Sequence, residues 1–124
     1  MVYHFSRREW DEAIRYIEKM REDDPNDPYL DADIAYIYAT KGRIKESVEL
    51  IDKLNRVIPE TSRTKYSLIA FVYSAFDLDQ CFKWLDRAYE AREVFYGWFR
   101  NYPIFENVRQ DPRFNELLKK ADLL

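Results

Sequence analysis

Ile34-Ala35-Tyr36-Ile37-Tyr38 returns 35 residues later as Ile69-Ala70-Phe71-Val72-Tyr73, and Ile51-Asp52-Lys53-Leu54 returns 34 residues later as Leu85-Asp86-Arg87-Ala88. The interval also runs backwards: Ile17-Glu18-Lys19-Met20 stands 34 residues before Ile51, and Pro25 the same distance before Pro59. A period of this length is the mark of a stacked repeat, in which each unit buries its apolar face only against its neighbours. The slip from 35 to 34 falls between Tyr73 and Leu85, where Phe76-Asp77-Leu78 is one residue shorter than Lys41-Gly42-Arg43-Ile44.

Inside each unit the apolar residues follow helical spacing, not alternation. Ala13, Ile14, Ile17 and Met20 form one stripe, Ile34, Ala35 and Tyr38 a second, Ile44, Val48, Ile51 and Leu54 a third. Asp27 before Pro28, and Asp77 three residues before Gln80, are helix-start signals, and Gly42 suits a helix end. Helices are therefore expected over 9–22, 28–41, 44–57, 62–75 and 78–92. Asp111 and Pro112 open a last one carrying Phe114, Leu117, Leu118 and Ala121 on one face. The composition agrees. Only 2 of 124 residues are glycine, too few for many hairpin turns or phosphate-cradling loops, so the expected class is all-α.

The second unit resembles the tetratricopeptide repeat (TPR), a helix-turn-helix of about 34 residues. Ile34-Ala35, Tyr38, Gly42, Ser47, Ile51, Leu54 and Pro59 stand at its pattern positions. The first unit matches from its second helix onward, and the third has Cys81 at the small position and lacks the glycine and the closing proline. The stretch Asp86-Arg87-Ala88-Tyr89-Glu90-Ala91-Arg92, with Tyr102-Pro103-Ile104-Phe105 and Asp111-Pro112-Arg113-Phe114-Asn115-Glu116-Leu117-Leu118 beyond it, is similar to the end of TPR arrays in multidomain prokaryotic regulators of the kinase, adenylate cyclase or winged-helix type. The resemblance implies a right-handed superhelical stack of helical hairpins with a C-terminal capping helix. It divides one domain into a partial first repeat (1–27), a second (28–61), a third (62–93) and a cap (94–124).

It also implies where a partner would lie. The first helix of each TPR unit lines the concave face, which here carries Tyr29, Ala32, Asp33, Tyr36 and Thr40, then Thr64, Ser67, Phe71 and Ser74. Large rings among small residues make a groove for a peptide or protein segment. The alternative is packing: the same rings cover the inside of a short superhelix or meet the missing first helix. Chaperone-binding relatives grip a terminal carboxylate with Lys, Asn and Arg, whereas the matching positions are Tyr29, Asp33, Thr64 and Leu68, so a carboxylate-clamp ligand is not expected. Phe95, Trp98 and Phe99 belong to a ring-rich stretch before the cap, read either as a hinge buried between repeat and cap or as a second contact surface. Trp10, Ile14 and Ile17 would be left uncovered by the missing helix, a face on which a homodimer could form.

Other classes fit poorly. His4 is the only histidine and Cys81 the only cysteine, so His-based triads, multi-His metal sites and CxxC motifs are excluded. Neither catalytic residues, metal ligands nor a cofactor are expected, and the chain reads as a non-enzyme. A net charge of −3 argues against a nucleic-acid surface, although helical hairpins of this length can read RNA. Without a long apolar run or a signal-like N-terminus, membrane insertion is not expected and a cytoplasmic location is. The working expectation is a TPR adaptor or scaffold.

Overall fold

The computed structural model describes residues 7–25, 27–93, 99 and 105–121. Among them are seven helices and no strand: α1 (Arg7–Asp23), α2 (Pro28–Thr40), α3 (Ile44–Val57), α4 (Lys65–Tyr73), α5 (Leu78–Glu90), α6 (Glu106–Gln110) and α7 (Pro112–Lys120). Their starts have local causes. Asp27 accepts from the Tyr29 amide at 2.9 Å, with Pro28 in the first turn. Asp77 accepts from the Gln80 amide at 3.1 Å, and Asp111 from the Arg113 amide at 2.9 Å, again ahead of a proline. Each carboxylate satisfies a helix N–H that has no partner within the helix.

α2 and α4 are apolar nearly all round and lie in the interior, whereas α3, α5 and α7 each bury one stripe. Three residues, 41–43, join α2 to α3, so these two helices fold back on each other; α4 and α5 do the same across 74–77. α2 ends at Gly42, whose φ of +84° only glycine adopts freely. The Arg43 amide reaches the Tyr38 carbonyl at 2.8 Å and the Gly42 amide the Ala39 carbonyl at 3.1 Å, the bond pair of a Schellman end. The same pair closes α5, from Glu93 to Ala88 at 2.9 Å and from Arg92 to Tyr89 at 3.0 Å, but there a non-glycine, Arg92, holds φ at 59°.

Burial follows the sequence period. Ile34 and Ile69, Ala35 and Ala70, Ile37 and Val72, Ile51 and Leu85, Leu54 and Ala88 are all buried in matching pairs. Ser47 and Cys81, 34 residues apart, both sit at 0% exposure where a second helix crosses a first. There the Ser47 hydroxyl donates to the Ala35 carbonyl at 2.8 Å. Within the third stripe, Ile44 is exposed and Val48 half-buried, so α3 buries Ser47, Ile51 and Leu54 instead. α4 is shorter than the spacing suggests because Ser62 and Thr64 bond to each other and Ser62 also accepts from the Thr64 amide, an alternative to the helical ladder.

The core has two parts. The larger cluster joins α2 to α5 with Phe99, Phe105, Val108 and the α7 residues Phe114, Leu117 and Leu118. The smaller consists of Ile14 and Ile17 of α1 against Ile34 and Ile37 of α2. Ile14 and Ile17 are thus covered by α2 within the chain; the side chain of Trp10 lies outside the described residues.

Candidate functional site

The positions named for the concave face divide by exposure. Along α2, Ala32 is fully buried, Tyr36 is nearly so and Tyr29 is 44% exposed. Asp33 and Thr40 are half-buried, and the Thr40 hydroxyl turns back to the Ile37 carbonyl at 2.8 Å. At the start of α4, Thr64 is half-buried. Ser67, Phe71 and Ser74 are buried. Ser74 donates its hydroxyl to the Phe71 carbonyl and accepts, through its own carbonyl, the Asn107 side-chain amide at 2.8 Å.

The rings form a ladder. Tyr36 and Phe71 stack with centroids 4.8 Å apart and planes 7° from parallel. Phe71 meets Phe105 edge-on at 5.8 Å and 76°, and Phe105 packs on Phe99 at 4.1 Å. These are favourable aromatic geometries that also bury large apolar areas. Tyr36, Phe71 and Phe105 are 35 and 34 residues apart, and Asp77 and Asp111, the caps of α5 and α7, are again 34 apart. Phe105 thus continues, at nearly the same interval, the ring contacts that begin at Tyr36. Burial raises the pKa of the Tyr36 hydroxyl.

Phe71 is therefore sealed by the chain's own C-terminal segment. On this side Tyr29 remains exposed, with Asp33, Thr40 and Thr64 partly accessible. Phe99 is fully buried, and the Arg109 guanidinium donates to its carbonyl at 3.0 Å. Phe95 and Trp98 lie outside the described residues. Leu68, at one of the positions that would hold a clamp residue, is a core side chain.

Two carboxylates, those of Asp31 and Glu93, are buried among the described residues. Asp31 is 1% exposed and is held from both sides, by Arg21 of α1 at 2.9 Å and Lys53 of α3 at 3.0 Å. Glu93, 3% exposed, accepts from the Tyr66 amide at 3.0 Å, the Ser67 amide at 2.9 Å and the Ser67 hydroxyl. Composition alone marks neither. The ladder's third rung was open to sequence reading, since the period that links Tyr36 to Phe71 continues to Phe105.

The remaining chemistry is sparse. Burial pushes the Cys81 thiol up to about 12, which removes the thiolate at neutral pH. Among the described residues, no group of three or more His, Cys, Asp or Glu is placed to hold a metal, and no helix is long and apolar enough to cross a membrane. Comparison with family models, with curated proteins and with solved structures finds no match to this chain.

Proposed function

We propose that the chain is a non-catalytic protein-interaction module of the TPR type, a right-handed stack of helical hairpins that binds a protein or peptide segment along the side presented by α2 and α4. The observation that carries this reading is the ladder Tyr36–Phe71–Phe105, in which equivalent rings of successive hairpins touch at steps of one repeat. Such an array presents first helices side by side as an extended surface, the feature that stacked repeats use for binding. In this reading the buried rings are the floor, and Tyr29, Asp33, Thr40 and Thr64 are what a segment touches. Tyrosine suits this role, offering a wide apolar face and a polar tip at small entropic cost. No cofactor or turnover is involved, and the absence of Lys, Asn or Arg at the clamp positions favours an apolar or mixed segment over a terminal carboxylate.

Selection of displayed random peptides against the chain tests the reading. Binders that are lost on Tyr29→Ala and Thr40→Ala, with the melting temperature unchanged, support it. Binders indifferent to both substitutions, or none at all, reject it. Saturable sub-micromolar binding of single-stranded RNA in an anisotropy titration would favour a nucleic-acid reader instead.

A further inference from the structure

α1 is joined to the array differently from every other long helix. Among the described side chains, none from α1 enters the larger core cluster; the helix rests on α2 through Ile14 and Ile17 against Ile34 and Ile37. Ala13 and Met20 pack beside them in the same small cluster, with Leu30, Tyr38 and Leu50, and two ion pairs add to this contact, Arg21 to Asp31 at 2.9 Å and Lys41 to Asp11. The Asp11 carboxylate is 70% exposed, so that tie is open to screening by salt. The Asp31 carboxylate is only 2% exposed, and a buried charge stripped of its partners would resist any motion that removed them. Lys53 settles that difficulty, because it approaches the other oxygen of Asp31 from α3 at 3.0 Å and stays in place when α1 does not. The opposite side of α2, with Ala32, Ala35 and Tyr36, belongs to the larger cluster and holds α2 independently of α1.

We propose that α1 is a releasable helix, and that the face it leaves on α2 is a helix-docking site whose occupant in trans is α1 of a second copy. The site is Ile34, Ile37 and Asp31. What it selects is the pattern seen in α1, two isoleucines three residues apart followed four residues later by an arginine, as in Ile14, Ile17 and Arg21. The link between α1 and α2, residues 24–27, is short, so docking in cis is favoured by a high effective concentration and exchange in trans requires that the cis helix be weakened or diluted by competition. This proposal is independent of what binds beside Tyr29.

Hydrogen exchange on the intact chain tests release. The amides of α1 should exchange about a hundredfold faster than those of α4, and faster again in 1 M NaCl, while α4 is unaffected. Equal protection of α1 and α4 would overturn the proposal. Docking is tested on the full chain carrying Ile17→Ser and Arg21→Ala, probed with a labelled synthetic peptide of residues 7–23. The variant is expected to keep its helical signal from α2 to α7 and to bind the peptide saturably, with about tenfold weaker binding for a peptide carrying Arg21→Ala. Global unfolding of the variant would refute independent release, and a folded variant that ignores the peptide would refute the docking site.

Discussion

Glu93 caps a helix that starts 28 residues before it: its carboxylate takes the Ser67 amide at 2.9 Å and the Ser67 hydroxyl, and reaches on to the Tyr66 amide at 3.0 Å. Thr64, at the helix start, makes no side-chain capping bond of its own. The first turn of α4 lies in the interior, where an N–H without an acceptor is costly, and a carboxylate there also meets the positive end of the helix dipole. One side chain thereby ties the end of α5 to the beginning of α4.

Glu93→Ala removes all three bonds and leaves the buried Ser67 amide and the half-buried Tyr66 amide unpartnered. A loss of about 3 kcal/mol is expected, read as a lowered urea midpoint with unchanged slope. Glu93→Gln is not a neutral replacement, because whichever way the amide turns, its NH2 faces one of the two N–H donors. It should recover only part of that loss, and full recovery would show that the carboxylate's geometry is immaterial.

Arg92 occupies the left-handed position that Gly42 occupies at the end of α2. A Cβ is strained there, and the bonds from Glu93 to Ala88 and from Arg92 to Tyr89 keep it so. Arg92→Gly should stabilise the chain by about 0.5–1 kcal/mol. The melting temperature should rise by a few degrees, and a fall would mean that the Arg92 side chain contributes more than its backbone costs.

Local features were legible in the sequence and distant ones were not. Asp27-Pro28, Asp77 and Asp111-Pro112 each announce a helix start because the bond they make spans two or three residues. The period in Ile34 to Tyr38 and Ile69 to Tyr73 exposed the hairpins, since burial repeats with it. Tyr36 and Phe71 were recognisable as special, but as groove or packing alike, because the ring that closes over Phe71 comes from Phe105, at the start of a helix, Glu106–Gln110, that is too short to show a stripe. Glu93 and Asp31 carried no local signal at all. A charged residue reads as surface until the fold brings its partners to it, here Ser67 and Tyr66 for one and Arg21 and Lys53 for the other.

Cys81 reports opening of the α4–α5 hairpin. Its thiol is at 0% exposure, and burial holds its pKa near 12, so a thiol reagent can reach it only through unfolding. Labelling by a disulfide reagent at pH 8 should be slow in buffer and rise with urea in parallel with the loss of helical signal. If α1 opens by itself, conditions that release α1 leave the Cys81 rate unchanged. Fast labelling in buffer would place the hairpin among the least stable parts of the chain.

Acid should unfold the chain in part through α7. The Arg113 guanidinium, bonded to Asp111 at 3.0 Å, and the Arg113 amide at 2.9 Å hold the Asp111 carboxyl below its ordinary 3.8. Glu60, bonded to Lys65 and Tyr66, is lowered likewise, as is Asp11 beside Lys41. For a carboxyl depressed by folding, the unfolded chain binds the proton first as pH falls. The stabilisation is therefore complete above the ordinary carboxyl value and drains away as pH drops from there through the folded value. Asp111→Asn keeps an oxygen for the Arg113 amide but removes the titration. Urea midpoints measured from pH 7 down to pH 2.5 should then fall less steeply below pH 4 than in the parent, from a lower starting point at pH 7. Parallel curves for the two proteins would assign the acid sensitivity to Glu60, Asp11 and the remaining carboxylates instead.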